Sequence, residues 1–573
     1  MRSILTSWLV VITLFLISMP MANAQESGSF YEGEPIHAIY YDFKNLPANK
    51  QESNNFQIKV RKEFKVYPHM TMRILMLDAY LGKVKLLPEV GAASYEIRPA
   101  ATGGIDLFIT VEFSGKPLDA RLKSGLLTGE KKDFPQLYLD DKSLLTMRIS
   151  ASEMIYANHN TWYGRPELMT NGNPLATHPS GKGMQGWVEG WISAGIYGIT
   201  PISTKHNLYT YAGASYIISA SAGNEIFTNR ARVFGGVEDA YIGIVGAKTT
   251  KVGNNILYNL SFGRQQFSIG SGFIIRNTAS NGDNRAALQL NPRWAADYLA
   301  LGTVKYNNLI LQLFQLKPDE LPIIDSKTII RGANFEWGGN YARLLGLTYL
   351  NIPKSEGKYY TPTGGILQRE GLSVFNARLY GNNIPGKAGI FYKAEFAYQT
   401  NSNHKMRAYA GFGEIGWSFA NVPTSPVLSY RYAHFSGDDP DTEAYERWDP
   451  LLSGGNGEEW VLGANHFKIV QNSNMNAHRL QLNFRPTRKT ELVPQILYFY
   501  ADEKNNISGN PALSYMPHRE YGYEVNLTAK YFHSRRWYVH GHIAYTIPGY
   551  GVRKALGDTS PWLSLMAFVR YSL

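Results

Sequence analysis

The sequence predicts a mainly β chain: an antiparallel transmembrane β-barrel of 16 or 18 strands, preceded by a small α+β domain. The first observation behind this is strict alternation. In the stretch that starts VLSYRYAH, Leu428, Tyr430 and Tyr432 share one face, while Ser429, Arg431 and Ala433 share the other. In a membrane barrel the apolar face meets lipid and the small, polar, cationic face lines a lumen. The second observation is repetition, since such segments recur from Trp187 to Leu573, joined by loops of uneven length. The third is composition. With 38 Tyr, 54 Gly and 18% charged residues, the chain suits strands in which only every second residue must be apolar.

The same composition excludes several classes of function. Cysteine is absent, which removes disulfides, thiolate metal sites and cysteine nucleophiles. The net charge of +11 comes without a basic run or a nucleic-acid motif, so no nucleic-acid partner is expected. A cationic lumen or an anionic lipid surface accounts for it.

Residues 1–24 read as a signal peptide. Arg2 supplies the positive start, Ile4 to Leu16 the apolar core and Ala22-Asn23-Ala24 the cleavage site, leaving Gln25 as the first mature residue. After it no run of about 18 apolar residues follows, so spanning helices are not expected. An exported chain of alternating strands is expected in a bacterial outer membrane, among its lipids, with the N-terminal domain in the periplasm.

Residues 25–126 read as that domain. Ile36 to Phe43 and Phe56 to Val66 are expected as strands, Thr71 to Leu81 as an amphipathic helix. Strands Ala92 to Pro99 and Ile105 to Phe113 follow, around the turn Ala101-Thr102-Gly103-Gly104. The closing GGIDLFITVEF resembles the last strand of a POTRA domain, although only one of the two usual helices is visible. The resemblance implies a periplasmic partner for this domain. Residues 127–186, dense in Gly, Pro, Asn and Thr, read as a connector without regular elements and as a candidate plug.

The barrel is expected over residues 187–573. Seventeen alternating segments can be counted, and single-chain bacterial barrels have even numbers, which leaves 16 or 18. The last segment, Trp562 to Leu573, carries Leu563, Leu565, Ala567, Val569, Tyr571 and Leu573 in one outward row. It resembles the terminal strand that the barrel-assembly machinery recognises, with Leu573 in place of the usual Phe.

Four stretches carry a family resemblance. GRQQFSIGSGFIIRN (Gly263 to Asn277), YKAEFAYQTN (Tyr392 to Asn401), LSYRYAHFSGDDPDT (Leu428 to Thr442) and RWDPL (Arg447 to Leu451) resemble the alginate-export family of outer-membrane barrels, in order and spacing. The resemblance implies a passive channel for an anionic polysaccharide or another anionic solute. The N-terminal domain departs from the simplest members, which opens an alternative, a POTRA-plus-barrel translocator that secretes or inserts a partner polypeptide. Translocators of that kind carry a V-R-G-[FY] loop motif; the nearest match here, Ile330-Arg331-Gly332-Ala333, lacks the aromatic. A third reading is an adhesin or structural anchor using its long loops.

Strand parity names the pore lining. The inward positions include Arg378, Lys393, Arg431, Arg479, Arg485, Lys530 and Arg570, with Glu189, Glu395, Glu414 and Glu524. Two outcomes stay open at this point: cations that attract anions, or Arg–Glu pairs that satisfy one another. Arg264 has the parity of Tyr258, Leu260 and Phe262 and is left out. Asp438, Asp439, Asp441 and Glu443 have the oxygen chemistry for calcium but not the spacing of an EF-hand, so a solvated loop or pairing with Arg447 is expected. His540 and His542 lack a third zinc ligand. No cofactor is expected. No G-x-S-x-G occurs, and nothing in the sequence sets the separation of Glu395 and Glu414 that a glycosidase would need, so an enzyme is not expected.

Overall fold

The structure is a computed structural model that describes residues 33–85, 87, 89–100, 104–114, 135–139, 142–250, 254–340, 343–382, 388–454, 463–487, 489–534 and 536–573. The expected signal peptide and residues 101–103 of the expected turn lie outside them.

The N-terminal domain runs β1 (Ile36–Lys44), α1 (Lys50–Glu63), α2 (Ile74–Lys85), β2 (Val90–Pro99) and β3 (Ile105–Phe113). Its sheet has the order β1-β3-β2, with β3 parallel to β1 and antiparallel to β2. The expected strand over Phe56 to Val66 is instead the second half of α1 and its exit. Phe56, Val60 and Phe64 recur every four residues, and all three are buried against the sheet. Asn49 caps the helix by accepting from the Gln51 and Glu52 amides at 2.9 and 3.4 Å, and Arg61 and Lys62 sit in its last turn.

The barrel closes with eighteen antiparallel strands, each paired with its sequence neighbour. They begin with β5 (Leu144–His159), β6 (Met184–Ser203), β7 (Leu208–Gly223), β8 (Arg232–Thr249) and β9 (Asn255–Arg264). Next come β10 (Tyr298–Tyr306), β11 (Leu309–Lys317), β12 (Ile329–Asn340), β13 (Arg343–Lys354), β16 (Leu372–Gly381) and β17 (Gly389–Asn401). The rest are β18 (Ala408–Ser418), β19 (Val427–Phe435), β20 (Met475–Thr487), β21 (Thr490–Tyr500), β22 (Glu520–Phe532), β23 (Trp537–Pro548) and β24 (Trp562–Ser572). The short β4 (Gln136–Leu139) pairs with the start of β5, and β14 (Lys358–Tyr360) and β15 (Ile366–Gln368) form a loop hairpin.

Strand β5 corrects the sequence reading. It lies within the expected connector, pairs with β24 from Leu563↔His159 to Ser572↔Ser150, and so closes the barrel. The seventeen counted segments plus β5 make eighteen. At one end of the barrel the connections are two to eight residues in length, such as residues 307–308; at the other they run up to the length of 436–474. Parity holds in the walls. Tyr430, facing out, is 43% exposed, while its neighbour Arg431 is 2% exposed. Among the described residues no helix is long and apolar enough to cross a membrane.

Candidate functional site

The lumen is crowded at the long-loop half, because two loops fold into it. Residues 265–297, and 436–454 with 463–474, bring Phe273, Ile274, Ile275, Trp448 and Ile469 into a buried cluster with wall residues such as Phe412, Phe435 and Phe499. The GRQ stretch therefore does not run as a strand to Gly270. Strand β9 ends at Arg264 and the rest is luminal loop. The RWDPL stretch is also luminal: Trp448 packs at 6.1 Å from Phe273, and Arg447 donates to Asn506 at 2.6 Å rather than to the acidic loop.

Inward glutamates fasten these loops. Glu189 accepts the Gln289 and Leu290 amides at 3.0 Å each. Glu238, which the sequence reading missed, accepts the Trp294 and Ala295 amides at 2.7 and 2.9 Å. Glu524 accepts the Asn465 and His466 amides at 3.2 and 2.8 Å and the Thr546 hydroxyl at 3.0 Å. A buried carboxylate needs such donors, and a loop folded inside a barrel has amides left without strand partners. Gly463 permits this approach: its φ is +83°, and a Cβ there would lie 2.6 Å from Glu524 Oε1. His466, in the short helix His466–Val470, stacks on Phe499 at 4.2 Å, and burial pushes its imidazole down to about 3.

Cross-strand register decides the fate of the expected cations. Lys393, Glu414, Arg431 and Arg479 sit opposite one another across β17, β18, β19 and β20. Arg431 donates to Glu414 from Nε at 3.0 Å and from Nη2; Arg479 reaches the other carboxylate oxygen at 3.4 Å. Arg431 also lies 4.6 Å over the Phe412 ring. Arg378 donates to Glu336 at 2.8 Å, to Thr348 and Asn376 at 2.8 and 2.9 Å, and to Asn334. Gly270, at φ +55°, makes room for it, since a Cβ there would meet Arg378 Cδ at 2.9 Å. Glu395 accepts from Asn376, Tyr380 and Ser271 at 3.0, 2.9 and 3.1 Å. Arg378, Arg431 and Arg479 are thus parts of the wall rather than an exposed ring, because each is 2% exposed or less. Arg485 and Lys530 share Glu491, at 3.2 and 3.0 Å; Glu491 was missed, though it sits directly opposite Lys530 in register.

A cavity of about 840 Å³ remains between the loops and the β21–β24 wall. Its charged lining is Arg276, Lys468, Lys530 and Arg570 against the single carboxylate Glu320, among the described residues. Lys468 bonds the Ala464 carbonyl at 2.9 Å and lies over the Tyr156 and Trp562 rings; Arg570 lies over Trp191 and Phe568. Neither has a carboxylate partner among the described residues. Lys468 escaped the sequence reading because it sits on a loop helix where strand parity does not apply. His540 and His542 line the same cavity, bonded to Tyr538 and Thr528 at 2.9 and 2.8 Å. In the acidic loop, Asp438 and Asp439 accept the Glu446 and Asp441 amides, and Glu443 pairs with Lys405. No group of three or more metal-binding side chains occurs among the described residues.

Residues 238–563 match the alginate export family, which is more than half of the chain. The chain belongs to the alginate export family. It is an outer-membrane β-barrel of the channel kind. It is similar to two solved structures from Pseudomonas aeruginosa, the outer membrane protein OpdK and OccK8 (OprE). The identities are 10% and 9% and the TM-scores 0.46 and 0.45; the matches cover 74% and 75% of this chain and 98% of each of those. No match was found among curated proteins.

Proposed function

We propose that this barrel passes an anionic polysaccharide or another anionic solute, without catalysing a reaction. The observation that carries the reading is the cavity: four cations and one carboxylate line it among the described residues, Lys530 is paired with Glu491, and Lys468 and Arg570 have no carboxylate partner among the described residues. Cations held by rings and carbonyls in a low-dielectric wall attract carboxylates more strongly than cations in water do. The expected conduit is therefore not the Arg378–Arg431–Arg479 wall. Glu395 and Glu414 are held by wall partners, which argues against glycosidase work. The test is a reversal potential across a salt gradient in a planar bilayer. Preference for chloride over potassium supports the reading, and Lys468→Gln with Arg570→Gln should lower it. Cation preference in the unaltered protein overturns it.

The N-terminal domain supports a second reading. Its β-α-α-β-β order contains both helices that a POTRA domain has, which favours a POTRA-like module on the short-turn, periplasmic side that engages a periplasmic partner. The translocator reading is weakened by Ile330-Arg331-Gly332-Ala333, which lies inside wall strand β12 and not in a luminal loop. Secretion of a partner that stops when residues 26–126 are deleted would reverse this preference. The terminal strand β24 is the element proposed to meet the barrel-assembly machinery.

A further inference from the structure

A second luminal feature lies away from the cationic cavity, in the short-turn half of β5 to β9. Tyr197, Tyr211 and Tyr241 take inward positions there, with ring centroids 6.5 Å apart for Tyr197–Tyr241 and 6.1 Å for Tyr211–Tyr241. The rings are tilted by 42° and 64°, so they form a shallow cleft. Glycines on the neighbouring strands let them lie down on bare backbone. A Cβ at Gly213 would be 2.5 Å from Tyr197 and 2.8 Å from Tyr241, and one at Gly243 only 2.3 Å from Tyr211. All three tyrosines stay half-buried, with the other side of the cleft toward the lumen.

Polar groups edge the cleft. A register shift between Ala214 and Tyr216 turns both Glu238 and Asp239 inward. Asp239 Oδ2 accepts the Tyr197 and Ser215 hydroxyls at 2.6 and 2.9 Å, and Asn259 Oδ1 accepts the Tyr211 hydroxyl at 2.6 Å. Asp239 Oδ1 and Asn259 Nδ2 have no hydrogen bond among the described residues. Arg148, exposed on β5, holds its guanidinium 4.6 Å over the Tyr197 ring and has no ion pair among the described residues. Tilted aromatic rings offer apolar faces to ring C–H groups, a carboxylate oxygen at one edge and an amide N–H at the other can each bond a hydroxyl, and a guanidinium grips a carboxylate in two places. A small organic acid would use only the last of these.

We propose that this cleft is a saccharide-binding subsite of the pathway, which stacks one pyranose ring of an acidic oligosaccharide on Tyr211 and Tyr241 and takes its carboxylate at Arg148. The inference rests on the channel reading above. In a planar bilayer, the full protein is exposed to tetragalacturonate, maltotetraose or citrate, and the residence times of current blocks are measured. Tetragalacturonate should block longest, and Tyr211→Leu with Tyr241→Leu should shorten its blocks about tenfold with salt conductance nearly unchanged. Should that pair fail to fold, Arg148→Gln, at an exposed position, should cut the tetragalacturonate blocks and spare those by maltotetraose. Blocks by tetragalacturonate that are absent in a conducting protein, no longer than those by citrate, or unmoved by a folded variant overturn the subsite alone. A protein that conducts nothing overturns the channel reading and the subsite with it.

Discussion

At the scale of residues, the lumen is governed by what each buried charge touches. Glu414 holds two arginines that are 2% and 1% exposed, so Glu414→Gln leaves two buried cations without their counter-charge. Breaking a buried pair from one side costs about 3–5 kcal/mol. The expected outcome is a folded band on an unboiled gel that converts to the unfolded one at a lower temperature than in the unaltered protein. Arg431→Ser should act in the same direction and change ion selectivity little. The loop pair Arg369–Asp449 adds a pH dependence. Burial raises the Asp449 carboxyl, but the Arg369 guanidinium at 2.7 Å, helped by Tyr359 and the Leu451 amide, outweighs this and holds it below its ordinary value. A depressed folded value means stability that is present above the unfolded value of about 3.9 and lost as pH falls through the folded one. Limited proteolysis should therefore leave residues 355–371 intact at about pH 5 and cut them in stronger acid, and Asp449→Asn should expose them at neutral pH.

At the scale of elements, β5 decides where the barrel can be cut. Deleting residues 26–126 leaves β5 and its pairing with β24 whole, so bilayer conductance should survive nearly unchanged. Extending the deletion to residue 186 removes a closing strand and leaves two long unpaired edges, which a barrel in lipid cannot tolerate. That longer deletion should fail to give a compact band on an unboiled gel, and a folded product would show that β5 is dispensable. The inward loops are elements of the same rank. Gly463→Ala places a Cβ against Glu524 at a φ of +83°, so the loop of residues 463–474 should loosen before the wall does. Faster proteolysis of that loop, with the melting of the barrel unmoved, is the expected pattern.

At the scale of the whole molecule, an even strand count puts both ends of the barrel at the short-turn rim, and loops fill the opposite half. In the proposed function the conduit runs between those loops and the β21–β24 wall, where the cationic cavity lies. Anion preference should persist at physiological salt, where the Debye length is about 8 Å, and fade near 1 M. Selectivity that ignores ionic strength would place the filter somewhere other than in fixed charges.

Alternation along each strand was enough to determine the barrel, its two faces and the inward direction of residues such as Arg431, Glu414 and Glu524, because side chains in a strand have a period of two wherever the strand lies. The strand over Leu144 to His159 was hidden because its inward row mixes Thr146, Ser152, Met154 and Tyr156, which blurs the contrast between faces. The helix over Lys50 to Glu63 was hidden because its core residues Phe56 and Val60, with Phe64 at its C-cap, fall in a short stretch that also fits a strand. Only the tertiary structure decided which charges are spent on one another. Register brings Glu414 beside Arg431 and Arg479, and Glu491 beside Lys530, while loop placement leaves Lys468 and Arg570 facing an open cavity. Pairing depends on which strands are neighbours and how they are staggered, and on where long loops come to rest, and no local pattern in a chain encodes those distances.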